Sequence, residues 1–154
     1  MTKTVLFLDI DGPCHPADAA SALPSRCVAG EDLFRWVGPL LRLLEKMPHV
    51  DVVVHSSWRH VYRDLPSLLA DLPRALASRV VDVAPVEIAD RQLAIEEYVK
   101  RHDVQRFAVV DDTPMQFDKD LPWLVVTGPE GLSDPQAIRA LQQALEVPVG
   151  RQKS

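Results

Sequence analysis

Cysteine is scarce in this chain of 154 residues: Cys14 and Cys27 are the only two. Two thiols build no disulfide framework, and without CxxC or Cys/His spacing they announce no zinc site. Free thiols in a reducing compartment are expected. Long apolar runs are missing too. None approaches the ~20 residues that a membrane span needs. The opening Met1–Phe7 segment is too short for a signal peptide before the chain meets Asp9, so a cytoplasmic location is expected. Positive charge is the third shortage. With 17 Lys and Arg against 22 Asp and Glu, the net charge is −5. That argues against a general polyanion binder, because affinity for a phosphate backbone comes from clustered cations. It leaves room for an enzyme that handles one phosphate beside a metal ion.

What is present is ordinary for a globular protein: 47% apolar and 25% charged residues, so disorder is not expected. The length fits one domain, taken as residues 1–148 with a frayed tail at 149–154. The 13 prolines punctuate the chain without repeating, which predicts short elements and firm turns.

The run Val5-Leu6-Phe7-Leu8 ending at Asp9-Ile10-Asp11 reads as a buried parallel strand. Further strands are predicted at Val50–Val54, Arg79–Val83, Phe107–Val110 and Leu124–Val126. Gly12 to Gly30 reads as a loop or short hairpin. Between the strands, Asp32 is expected to cap a helix carrying Leu33, Phe34, Trp36, Val37, Leu40, Leu41, Leu43 and Leu44, kinked or divided at Pro39. Short helices separated by Pro66 and Pro73 fill Arg59 to Ala77. Asp90 opens an amphipathic helix with Leu93, Ala94, Ile95, Tyr98 and Val99 on its apolar face. Ser133-Asp134-Pro135-Gln136 reads as a capping box leading into Ile138, Leu141 and Leu145. Alternating strands and helices predict an α/β protein, a Rossmann-like three-layer α/β/α sandwich around a mainly parallel sheet of about five strands.

In such a sheet, ligands bind beyond the carboxyl ends of the strands. There the first strand delivers Asp9, Asp11 and Gly12, the second Ser56 and Ser57, and the fourth Asp111 and Asp112. Four carboxylates in one place are costly unless a cation or raised pKa values relieve them. Magnesium suits the task, since it takes oxygen ligands and bridges to phosphate. Each motif alone has a plainer explanation. A DxD is often a turn or a surface metal contact, Ser56-Ser57 a turn or helix cap, and Asp111-Asp112 a cap before Thr113-Pro114. Arg91 alone is a solvated first-turn residue, although a cation near a helix start is mildly unfavourable, which hints at an anionic partner.

Together and in order, Phe7-Leu8-Asp9-Ile10-Asp11-Gly12, Ser56, Arg91 and Val109-Val110-Asp111-Asp112 resemble the four motifs of the haloacid dehalogenase (HAD) superfamily. The combination with His55-Ser56-Ser57-Trp58-Arg59 is similar to the HAD domain associated with Swiss Army Knife RNA repair proteins. The resemblance implies a phosphatase working through an aspartyl-phosphate. Asp9 is then the nucleophile and Asp11 the acid and base. Magnesium is held by Asp9, the Asp11 backbone carbonyl, Asp111 and Asp112, and Gly12, Ser56, Ser57 and Arg91 serve the phosphate. Arg91 stands where Lys is commoner, a planar fork in place of a point charge; Arg101 falls late in the same helix and is the weaker choice. Asp11 separates the chain from haloacid dehalogenases, which lack this second Asp, and from ion-pumping ATPases, which carry Thr there.

Neither gap between motifs has room for a full cap domain. An open site suits a large phosphorylated substrate such as a nucleic-acid end or a phosphoprotein, with a nucleotide also open. Cys14 and His15 follow Gly12, where a substrate contact is conceivable beside a plain loop role. Trp58 reads as a packed helix-start aromatic before a base-stacking one, and Arg59 as a candidate for a second phosphate. Trp36 and Phe34 read as core. The competing reading is a HAD-fold binding or regulatory module with weak catalysis, against which the intact Asp9, Asp11 and Asp111 speak. A receiver-type phosphorylation module has its acids in the wrong order.

Overall fold

A parallel sheet covered on both faces needs continuous apolar strands, and Val-rich runs supply them. In the computed structural model, which describes residues 3–16 and 33–146, they form β1 (Thr4–Leu8), β2 (Val50–Val54), β3 (Val80–Val83), β4 (Arg106–Asp111) and β5 (Leu124–Val126). The strands pair in the order β3-β2-β1-β4-β5, all parallel. This is the α/β architecture expected from the sequence. The chain winds outward from central β1 to β3, then returns to β4 and β5 on the other side. The boundary between β1 and β4 is therefore the topological switch point.

Six α-helices lie among the described residues: α1 (Gly38–Lys46), α2 (Trp58–Val61), α3 (Leu65–Ala70), α4 (Arg74–Ala77), α5 (Arg91–Arg101) and α6 (Pro135–Leu145). Strand alternation divides the core into two layers. Leu6, Leu8, Val52, Val54, Ala108 and Val110 pack against Leu40, Leu43 and Leu44 of α1, Leu68 of α3, Leu76 of α4 and Leu141 and Leu145 of α6. Val5, Phe7, Val53, Phe107 and Val109 face the other way, onto Ile95 and Tyr98 of α5.

Proline placement differs from expectation in one instructive way. Pro39 does not divide a helix that starts near Leu33; it lies in the first turn of α1, where its missing N–H costs no hydrogen bond. Leu33 to Trp36 form a turn, and Phe34 has a φ of 58°, which an α-helix does not accept. Pro66 and Pro135 likewise stand in first turns. The cap of α6 is Asp134, whose carboxylate accepts from Gln136 N–H at 2.9 Å, while the Ser133 hydroxyl donates back to the Glu130 carbonyl. Leu93 is 58% exposed and does not join the apolar face of α5. Asp32, Cys27 and the tail from residue 149 lie outside the described residues, as does most of the expected loop from Gly12 to Gly30.

Phe7 is fully buried, with Tyr98 and Phe107 set edge-on at 5.6 and 5.8 Å. Phe7→Ala should remove about 3–5 kcal/mol of stability in urea titrations. Leu93→Ala should change it by no more than about 0.5 kcal/mol. Equal losses from the two would contradict this division between core and surface.

Candidate active site

The register of the sheet builds the site. Leu8 pairs with Val54 on one side and Val110 on the other. One residue further, Asp9 therefore lies between His55 and Asp111. Asp9 N–H donates to the Val110 carbonyl at 3.0 Å, and His55 N–H donates to the Leu8 carbonyl at 3.2 Å. By alternation Asp9, His55 and Asp111 share the face that α5 covers, and all three are buried.

Burial first, and then the charge of Asp111, push the Asp9 carboxyl well above the usual carboxylate range; Arg91 draws it part of the way back, and Asp112 adds to the rise. One oxygen each from Asp9, Asp111 and Asp112 lies within 4.8 Å of the others. Three carboxylates around one point form an oxygen-only donor set of the kind that suits a hard divalent cation, so the residues present fit a metal ion.

Arg91 supplies positive charge to the cluster. Asp90 caps α5 by accepting from Leu93 N–H at 2.9 Å, which fixes where the helix starts and so where Arg91 stands. The Arg91 guanidinium reaches Asp111 Oδ2 at 2.6 Å, Thr113 Oγ1 at 3.3 Å and Asp9 Oδ2 at 3.6 Å. Burial alone would weaken its hold on the proton, but Asp9 and Asp111 more than reverse this. Arg101 is at the far end of the helix, paired with Glu97 and Glu87. Asp111 Oδ1 is held by Thr113, whose N–H donates at 2.8 Å and whose hydroxyl also donates.

Gly12 makes the close approach of Asp112 possible. Its φ is 103°, and a Cβ there would lie 2.1 Å from Asp112 Oδ2. Its N–H donates to the His15 carbonyl at 2.9 Å, so this group closes a turn and is not offered to a phosphate. Ser56 is buried, and its Oγ accepts from Trp58 N–H at 3.1 Å, which leaves its own proton to donate. Ser57 is exposed at the start of α2.

The carboxyl group of Asp11 does not belong to the cluster of Asp9, Asp111 and Asp112. The turn through Gly12 carries it to His15 and Trp58, which are 2.8 and 3.1 Å from its Oδ1. Trp58 is buried and so has no face open for stacking on a base. Arg59 spends both terminal nitrogens on backbone carbonyls, those of His55 and Ile88, so it clamps two loops together and is not presented to a second phosphate. Cys14 is buried, and burial followed by the charges of Asp9 and Asp11 pushes its thiol up. It is an inert packed residue.

His55 and Thr113 were not singled out in the sequence as site residues. Alternation on β2 points to His55, since it stands two residues beyond Val53. The Asp-x-Thr spacing points to Thr113, because an Asp often accepts from the N–H two residues on.

His55 Nε2 donates to the Val110 carbonyl at 3.1 Å, and its Nδ1 has no hydrogen-bond partner, with Asp111 Oδ2 3.8 Å away. Burial lowers its pKa from 6.5 to about 4. An unfolded histidine takes up its proton near 6.5 while the folded one holds out to about 4, so acid removes stability between those values. Relative to His55→Gln, the parent protein should lose stability across that window by at most about 1.4 kcal/mol per pH unit, read from urea midpoints. Parallel pH curves for the two would contradict the neutral buried histidine.

The sequence profile of the HAD domain in Swiss Army Knife RNA repair proteins matches residues 5–137. That span contains every site residue described above. No curated protein and no solved structure matches the chain. Extent of match, parallel fold and the acidic cluster at the switch point agree. The chain belongs to the HAD superfamily, whose domains are generally hydrolases, and within it to the HAD domains of Swiss Army Knife RNA repair proteins.

Proposed function

We propose that the chain is a magnesium-dependent phosphomonoesterase that forms an aspartyl-phosphate on Asp9 and acts on a phosphorylated nucleic-acid end. The observation that carries this reading is the setting of Asp9. It is buried beside Asp111 at the end of the central strand, with the Arg91 guanidinium 3.6 Å away. The substrate class draws support from the RNA repair proteins for which the family is described. The net charge of −5 favours recognition of one end over a long phosphate track.

Asp9 attacks the phosphorus in line with the leaving oxygen, forming an O–P bond as the ester P–O bond breaks. Asp11 gives its proton to that oxygen. A water then attacks the phosphorus and passes its proton to Asp11 as the bond to Asp9 breaks. Ser56 donates its hydroxyl proton to a phosphoryl oxygen. Arg91 balances the charge of Asp9 and the entering phosphate. Magnesium, held by Asp9, the Asp11 backbone carbonyl, Asp111 and Asp112, would neutralise charge on the phosphoryl oxygens. Phosphoryl transfer gains mostly from such positioning and neutralisation.

Phosphate release from glycerol phosphate and from 5′- and 3′-phosphorylated RNA oligonucleotides tests the proposal. Chelation of divalent metal should abolish release, and magnesium should restore it. Asp9→Asn should be inactive. Asp11→Asn should slow glycerol phosphate by roughly 10²–10⁴-fold. Full activity in excess chelator, or an Asp11→Asn variant at the parent rate, would sink the mechanism.

A further inference from the structure

Two donors from separate parts of the chain converge on one oxygen of Asp11. His15 Nε2 lies 2.8 Å from Asp11 Oδ1. Trp58 Nε1–H points at the same oxygen at 3.1 Å and at Oδ2 at 3.2 Å. The other nitrogen of His15 settles its tautomer. Phe34 backbone N–H donates to Nδ1 at 3.1 Å, so in the neutral ring Nε2 carries the hydrogen, and His15 donates to Asp11. Phe34 stands in the left-handed region, which turns its N–H toward the ring. The rings of His15, Phe34 and Trp58 pack together at 5.0 to 6.1 Å, and all three residues are buried. The Asp11 side chain keeps 30% of its exposure, so it remains open on one side.

A carboxyl oxygen has two in-plane lone pairs. On Oδ1 both are engaged; Oδ2 shares only the longer branch of the indole contact. We infer that His15 and Trp58 are positioning residues that fix Asp11 Oδ1 as the acceptor and leave Oδ2 as the oxygen that exchanges the proton. This deepens the phosphatase reading above and rests on it. The arrangement serves both halves of the reaction. In the acid form Oδ1 is the carbonyl oxygen and Oδ2 the hydroxyl. As the ester P–O bond breaks, the Oδ2 proton passes to the leaving oxygen, and both donors keep their bonds. As water attacks the phosphorus, Oδ2 takes the water proton while the bond to Asp9 breaks. No rotation of the carboxyl group is needed between the two steps, and a reacting group held in one orientation keeps its entropic advantage. Trp58 also joins this residue to the second motif, because its backbone N–H donates to Ser56 Oγ.

Trp58→Phe keeps an aromatic ring and removes the donor. His15→Leu removes the other, while His15→Gln retains an N–H near the Nε2 position. Hydrogen-bond partners that orient metal ligands typically cost roughly 10–100-fold when removed, and a comparable loss is expected for partners that orient Asp11. Turnover of glycerol phosphate should therefore fall roughly 10–100-fold in Trp58→Phe and His15→Leu, with KM within about twofold, and largely recover in His15→Gln. With p-nitrophenyl phosphate, whose leaving group needs little protonation, the same two variants should give a burst of nitrophenol and phosphate trapped on Asp9. Independently of turnover, three tryptophans give three indole N–H signals in ¹⁵N NMR. The one missing from Trp58→Phe should move in Asp11→Asn. Parent-like turnover of glycerol phosphate in both donor-deleted variants overturns the proposal, as does an indole signal indifferent to Asp11→Asn. A parent protein that releases phosphate from neither these esters nor 5′- and 3′-phosphorylated RNA oligonucleotides overturns the phosphatase reading itself, which an active parent with indifferent variants leaves standing.

Discussion

Two adjacent parallel strands whose carboxyl ends both carry an aspartate, Asp9 just past β1 and Asp111 at the end of β4, force like charges together, and much of the site answers that repulsion. Asp9 and Asp111 become neighbours through the register of β1 and β4, deep enough that water cannot screen them. The remedies come from elsewhere in the chain. Arg91 is set at the start of α5 against the preference of the helix dipole, and its ion pair with Asp111 offsets that cost. Thr113 donates to the other oxygen of Asp111, while His55, kept neutral by burial, adds no charge to the cluster. A divalent cation held by these carboxylates, as proposed, would complete the set.

The turn at Gly12 separates two aspartates that a continuing strand would place on one face. With a φ of 103°, Gly12 ends the strand geometry. Asp9 stays with the carboxylates while Asp11 swings to the N–H donors of His15 and Trp58. Similar side chains thus acquire different surroundings within three residues, as the proposed roles of nucleophile and proton carrier would require. Gly131 braces the same turn from outside. A Cβ on it would lie 2.5 Å from the Pro13 carbonyl, and Leu132 N–H donates to that oxygen at 2.9 Å.

The strands were legible because a parallel sheet buried on both sides leaves uninterrupted Val and Leu runs, and their carboxyl ends led to Asp9, Ser56 and Asp111. Asp90 and Arg91 were legible because capping is local chemistry. Pro39 misled because the same residue can break a helix or begin one, and the choice depends on packing around Phe34 that no local pattern carries. The surroundings of Asp11 were illegible for a similar reason: His15, Phe34 and Trp58 meet only after α2 and the turn before α1 have docked. Arg59 looked like a phosphate ligand by charge, yet its nitrogens are consumed by the carbonyls of His55 and Ile88. Charge is visible in a sequence; prior engagement is not.

On this reading the carboxylate cluster should be unfavourable alone and should be relieved by a divalent cation. Thermal unfolding of the parent and Asp9→Asn proteins, each titrated with magnesium after exhaustive chelation, tests it directly. Without metal, Asp9→Asn should be the more stable protein, because it removes the buried charge beside Asp111. With metal, the parent should gain about 1.4 kcal/mol for each tenfold rise in magnesium above its dissociation constant, while Asp9→Asn responds weakly. A parent protein indifferent to magnesium, together with an Asp9→Asn variant no more stable than it, would contradict the account.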